Sequence, residues 1–161
     1  MRSARCFGAL ILAATLLVYA QVGRHDFVNW DDPVYVVRNP IVSRGITLTG
    51  LGWAFTHVHG VNWHPITSLS HMLDCELFGL WPGGHHLMSV VLHAVAALLL
   101  LGLLTAMTGA PGPSAFVAGV FALHPLRVES VAWVAERKDV LAGVFWMLTL
   151  WSYVAWVKQH A

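Results

Sequence analysis

The sequence predicts an all-α fold: a polytopic membrane bundle of about four transmembrane helices, with further helices at the membrane interface. Three observations carry this. Of 161 residues, 57% are hydrophobic and only 11% charged, where a soluble domain carries about 25% charged residues. Mean hydropathy is +0.65. The apolar residues are also gathered into runs, several of them near the length needed to cross roughly 30 Å of hydrocarbon. The formal net charge of +1 gives no electrostatic basis for binding nucleic acid.

The first run, residues 7–23, follows Arg2 and Arg5 and has no small-x-small cleavage pattern, so it reads as an uncleaved first span. Residues 86–107 contain the Leu98–Leu101 block and no formal charge, and form the second span. The stretch Thr108-Gly-Ala-Pro-Gly-Pro113 is dense in helix breakers and predicts a tight hairpin into a third, short span over 113–124. Pro125 biases His124 away from helical geometry. The helix therefore stops near Leu123 and restarts with Pro125 in its first turn, where the missing N–H does no harm. Residues 140–157 form the fourth span, closed by Lys158.

These spans leave two connecting segments, 24–85 and 125–139. Discounting the long one, as the positive-inside rule directs, the first helix orients the chain with its N-terminus in the cytoplasm and both segments outside. The long segment holds Trp30, Trp53, Trp63 and Trp81, which suit the membrane interface. Within it Pro65 to Gly79 predicts a short amphipathic helix lying in the membrane surface, with Ile66, Leu69, Leu73 and Leu77 on one stripe and a glycine stop. Cys6 and Cys75 belong to different segments, and no disulfide is predicted between them.

Charge is scarce enough here to need a reason wherever it occurs. A charged side chain at membrane depth costs roughly 2.5–3.5 kcal/mol on insertion scales, so such residues pair, face water or mark a site. They concentrate in His124-Pro-Leu-Arg-Val-Glu-Ser-Val-Ala-Trp-Val-Ala-Glu-Arg-Lys-Asp139. Read as one helix, Pro125 to Asp139 puts Arg127 and Lys138 on one face and Glu129 and Glu136 on the opposite one. A cationic face beside a bilayer suits a phosphate; structural ion pairs at helix ends are the competing reading. The long segment contributes Asn29-Trp-Asp-Asp-Pro-Val-Tyr35, in which Asp31 and Asp32 are either turn formers before Pro33 or a general base with its partner. His57, His59, His64, His71, His85, His86, His93 and His124 include no pair at the i, i+3 or i, i+4 spacing of one helix face, and no metal ligands are assigned among them.

Taken together, these motifs resemble the transmembrane and tetratricopeptide-repeat family of protein O-mannosyltransferases. The charged signature 124–141, Asn29 to Tyr35, Trp63-His-Pro-Ile66, the passage from Leu77 to His85, and His93 fall in the family's order. The resemblance implies a partial GT-C type module. Such an enzyme moves a sugar, mannose by the family's name, from a polyprenyl-phosphate carrier to protein Ser or Thr hydroxyls on the extracytoplasmic side, here of a bacterial inner membrane. It implies that Asp31 or Asp32 activates the acceptor hydroxyl and that Arg127, Arg137 or Lys138 stabilises the departing lipid phosphate, with inversion at the anomeric carbon. Tyr35, His64, His124, Glu129, Glu136 and Asp139 support them. Partners are membrane lipid, the lipid-linked donor and a protein acceptor. The resemblance assigns no cofactor beyond the lipid-linked sugar donor, and a divalent cation is compatible with the acidic pair. Family members are several times longer and end in tetratricopeptide repeats. No such period occurs here, so the chain is expected to be an N-terminal piece that is inactive by itself. A membrane anchor that presents repeat modules is the alternative function.

Overall fold

A computed structural model describes residues 2–60 and 62–160, with only the backbone of Arg2. Among the described residues seven α-helices follow in order: α1 (Arg2–Tyr19), α2 (Leu48–Thr56), α3 (Pro65–Phe78), α4 (Pro82–Thr108), α5 (Pro111–Leu123), α6 (Val128–Ala132) and α7 (Arg137–His160). Short tight helical turns extend α1 through Ala20–Arg24 and precede α6 and α7 at Pro125–Arg127 and Val134–Glu136. No β-strand occurs among the described residues. Three helical stretches are long and apolar enough to cross a membrane: Ser3–Arg24, Pro82–Thr108 and Val134–His160. The pair Pro111–Leu123 and Pro125–Ala132, bent by 52°, makes a fourth crossing if it is one broken span. The chain is an all-α membrane bundle.

The helix starts lie earlier than apolar runs alone indicate. Prolines at the first helical positions explain this, because a proline there lacks only an N–H that would be unpaired anyway. Pro82 opens α4 and Pro111 opens α5, so His85, which hydropathy leaves in the connecting segment, lies in the first turns of α4. Gly109 ends α4 with φ +69°, a left-handed conformation that glycine adopts without steric cost. The hairpin between α4 and α5 is therefore two residues long. Gly79 stops α3 in the same way with φ +60°.

Helix α4 is the axis of the bundle, packed by α1, α5 and α7. Ala94, Ala96 and Ala97 on α4 and Ala118 and Ala122 on α5 are buried, and small residues of this kind let backbones approach in lipid. Polar side chains bridge the helices: the Trp151 indole donates to Leu99 O at 3.0 Å, and His93 Nε2 donates to Ala122 O at 2.9 Å.

The segment between α1 and α4 is folded as well. Tyr35, Val36, Val42, Ala54, Met72 and Cys75 form one buried cluster with Val134 and Ala135, so this segment is packed down onto the start of the last long helical stretch. Helix α3 is inside out by soluble standards. It buries Thr67, Ser68, His71, Asp74 and Cys75 and turns Ile66, Leu73 and Leu77 outward. Three of the four residues of the predicted apolar stripe thus lie on its outer face, as in a helix that contacts lipid, while Leu69 is partly buried against the core cluster.

Candidate functional site

The two charged motifs meet, and Asp32 joins them. Its side chain is fully buried: Oδ2 accepts the Val28 N–H at 2.8 Å and Oδ1 accepts the Ala135 N–H at 2.9 Å. The second bond follows from how the chain breaks at Trp133. That residue is extended (φ −96°, ψ 123°) and helical geometry resumes at Val134, which leaves the first N–H groups of the new helical stretch without partners. Trp133 has no capping side chain to offer. Asp32 supplies the cap from across the molecule. The same residue holds αR geometry before Pro33 (φ −55°, ψ −37°), which a following proline disfavours; its two hydrogen bonds help hold it there. Burial pushes the Asp32 carboxyl above the usual carboxylate range, and the N–H donors of Val28 and Ala135 oppose that shift. Asp31 differs from its neighbour. It is only half-buried, and its backbone carbonyl accepts the N–H groups of Val34 and Tyr35, starting the helical turn Pro33–Val37.

An apolar cleft of about 600 Å³ opens beside this junction. It is lined by His25, Val28 and Trp30 from the acidic segment and by Val128, Glu129, Ala132 and Trp133 from the charged one. The cleft is thus built from both motifs, with Glu129 exposed at its edge.

The expected single helix over Pro125 to Asp139 does not form. The break at Trp133 divides it into α6 and the Val134–His160 stretch, so the periodicity that would align Arg127 with Lys138 is lost. Arg127 is half-buried with its guanidinium 4.4 Å from the centre of the Phe121 ring, a cation–π contact. Lys138 donates to Glu136 at 2.7 Å, and both remain partly exposed. Asp139 Oδ2 accepts the Ser130 hydroxyl at 3.0 Å.

Arg137 lies apart from the other cations and is fully buried. It donates to Asp74 Oδ2 at 2.6 Å, to His85 O at 2.7 Å, to Ser70 Oγ at 2.8 Å and to Ser89 Oγ at 3.0 Å. The guanidinium therefore ties α7 to both α3 and α4, with its donors directed at protein partners. Around it His71, Asp74 and His85 come together, all buried, each offering an atom within 4.8 Å of the others'. Full burial, with Arg137 nearby, holds the His71 ring well below the usual imidazole range and therefore neutral. Sequence reasoning missed this cluster. The one available signal was the three-residue step from His71 to Asp74 on a helix.

The supporting residues fall in two places. Tyr35 is buried with its ring 4.8 Å from that of His59 and 5.3 Å from that of His64. Burial lowers both of those imidazoles below their usual value. His124 is exposed, and its Nδ1 accepts the Leu126 N–H at 3.2 Å.

Membrane-length helices around a junction of acidic and cationic motifs define an integral membrane protein with a polar site at one end of its bundle. The chain is homologous to the TMTC protein O-mannosyl-transferases. It is 33% identical to protein O-mannosyl-transferase TMTC1 of Mus musculus over 155 residues, covering 90% of this chain and 16% of that protein. It is 37% identical to TMTC2 of the same species over 94 residues, 58% of this chain and 11% of that protein. For mouse TMTC4 the figures are 26% over 166 residues, 90% and 22%. The chain thus spans between 11% and 22% of the length of these relatives. No family model matches it. No solved structure matches it either.

Proposed function

We propose that the chain contributes the catalytic end of a membrane glycosyltransferase that moves mannose from a polyprenyl-phosphate carrier to a protein Ser or Thr hydroxyl. The site faces the extracytoplasmic side and the N-terminus the cytoplasm; in a bacterial host that is the outer face of the inner membrane. The observation that carries this reading is the Asp32–Ala135 hydrogen bond, which fixes the acidic segment against the charged one beside an apolar cleft lined by both. The relatives, protein O-mannosyl-transferases by name, supply the reaction class.

In this reading the two aspartates divide the work. Asp32 is buried and committed to backbone N–H groups, so it positions. Asp31 keeps a half-exposed carboxylate and takes the acceptor's proton as general base. Among the cations, Lys138 carries a partly exposed ammonium that can leave Glu136 for a phosphate. Arg127 adds positive charge from its place over Phe121, and Arg137 acts indirectly by holding the start of α7. A divalent cation, if the donor carries one, would sit at the phosphate.

The test uses membranes containing a full-length version of the protein, supplied with polyprenyl-phosphate mannose and a Ser/Thr-rich acceptor polypeptide, with O-linked hexose read by mass spectrometry. Asp31→Asn should reduce transfer by about 10²–10⁴-fold at unchanged abundance. Transfer that persists at the wild-type rate in Asp31→Asn overturns the assignment.

A further inference from the structure

The cluster of His71, Asp74 and His85 contains more acceptors than the surrounding protein satisfies. His85 Nε2 lies 3.0 Å from Gly79 O. A carbonyl can only accept, so Nε2 carries the proton and, in the neutral ring, Nδ1 presents a lone pair. That lone pair faces Asp74 Oδ2 at 3.4 Å, and Nδ1 has no hydrogen-bond partner. Two acceptors at this separation, both shielded from water, need a positive species between or beside them. Arg137 answers only part of that need, because its guanidinium is spent on Oδ2, leaving Asp74 Oδ1 unpartnered. Both ring nitrogens of His71 are also buried without partners. Each such group costs about 1–3 kcal/mol if left unsatisfied, yet the three residues that carry them each bring a ligand atom within 4.8 Å of the others'.

We propose that His71, Asp74 and His85 bind a divalent transition-metal ion, zinc by preference, which fastens α3 to the first turns of α4. Two imidazoles and one carboxylate form a borderline ligand set that suits zinc and cobalt and does not suit magnesium or calcium, which require oxygen ligands. His71 and Asp74 stand three residues apart on one face of α3, and His85 reaches them across the sharp turn at Gly79 and Trp81. The Nε2–H bond from His85 to Gly79 O is the outer-shell contact that orients a metal-binding imidazole and selects its tautomer. Asp74 offers Oδ1 while Arg137 retains Oδ2, so the same carboxylate serves both partners. The ion would add two positive charges to a buried site that the Arg137–Asp74 pair leaves neutral. A hydroxide as fourth ligand would offset one of those two charges.

The experiment uses the chain purified in detergent without a polyhistidine tag, stripped with chelator, and titrated with zinc and with cobalt. His71→Leu is the informative variant. The wild-type His71 side chain has no hydrogen bond to lose, so in a metal-free cluster leucine in its place is neutral or stabilising. If the cluster holds a metal, wild type retains about one equivalent of zinc, its melting temperature rises with zinc, and cobalt gives the intense visible bands of a tetrahedral site. His71→Leu and His85→Ala then weaken binding by at least about a hundredfold, more than loss of an outer-shell contact costs. His57→Ala, at an exposed histidine, changes nothing. Zinc binding to His71→Leu as tight as to wild type overturns the proposal. So does well-folded wild type that takes up no metal, in which nitrogen NMR shows His85 doubly protonated: a proton then fills the gap.

Discussion

The carboxylate of Asp32 accepts the backbone N–H of Ala135 at 2.9 Å across 103 residues of sequence, so a residue of the acidic segment is the N-terminal cap of the last long helical stretch. This relationship separates two aspartates that are adjacent in sequence. Asp32→Ala should cost about 1–3 kcal/mol, a lost cap plus an unpaired buried N–H, and lower the melting temperature in detergent. Asp31→Asn should leave that temperature unchanged. Equal losses for the two would show that Asp31 is structural as well.

Arg137 and Asp74 form a brace with no solvent to replace either partner. In metal-free protein Arg137→Met should destabilise the fold by about 3–5 kcal/mol, because the carboxylate is left buried without its counter-ion. Adding Asp74→Leu should recover a large part of that loss. A double-mutant cycle in thermal unfolding checks this, and a single-variant cost under about 1 kcal/mol would show that the pair does not hold the helices together.

Much of the helix layout could be read in the chain, and much of the site could not. The breakers at 108–113, Pro125 and Gly79 act locally, so the hairpin after α4, the restart after Leu123 and the stop of α3 follow from sequence alone. The break at Trp133 does not, because nothing in Val-Ala-Trp-Val-Ala forbids a helix. The chain leaves helical geometry there, and Asp32, contributed by a distant segment, caps the stretch that follows. The hidden role of Arg137 has a similar origin. In sequence it sits beside Lys138 and looks equivalent to it, but the first turn of α7 points one side chain between α3 and α4 and the other outward. The cluster at His71 escaped notice because a search for histidine spacing along one helix does not pair residues across the turn at Gly79.

The two cysteines should behave oppositely. Cys75 is buried, and burial pushes its thiol up to about 11, so at pH 8 only about one molecule in a thousand carries a thiolate. Cys6 is exposed. Maleimide added to folded protein in detergent should modify Cys6 and spare Cys75 until the protein is denatured, as read by intact mass. Rapid double labelling of the native protein would mean that α3 detaches easily.

Acid should loosen the core around Tyr35. Burial lowers His59 and His64 below the ordinary value of 6.5, so the unfolded chain takes up protons first. Their contribution to stability is full above about pH 6.5 and is lost as pH falls toward and through their folded values. Asp32 runs the other way: with a folded value raised above 3.8, its contribution is full below 3.8 and is lost as pH rises through the folded value. The histidine effect is therefore read between about pH 7 and 5. The melting temperature should fall across that window, and less steeply in His59→Gln. An unchanged slope in the variant would assign the acid sensitivity to other groups.

The brace between α3 and α7 also imposes an order of events on synthesis. Asp74 emerges 63 residues before Arg137, an interval of roughly 3–13 s at about 5–20 residues per second. During that time Asp74 has no guanidinium to meet it, and only a metal ion on His71, Asp74 and His85 could hold α3 against α4. Without that ion the nascent chain has to hold α3 loosely at the water boundary and draw it in only when α7 arrives. Its assembly is thus paced from the C-terminal side, and a ribosome stalled before residue 137 would leave α3 open to the insertion and quality-control machinery.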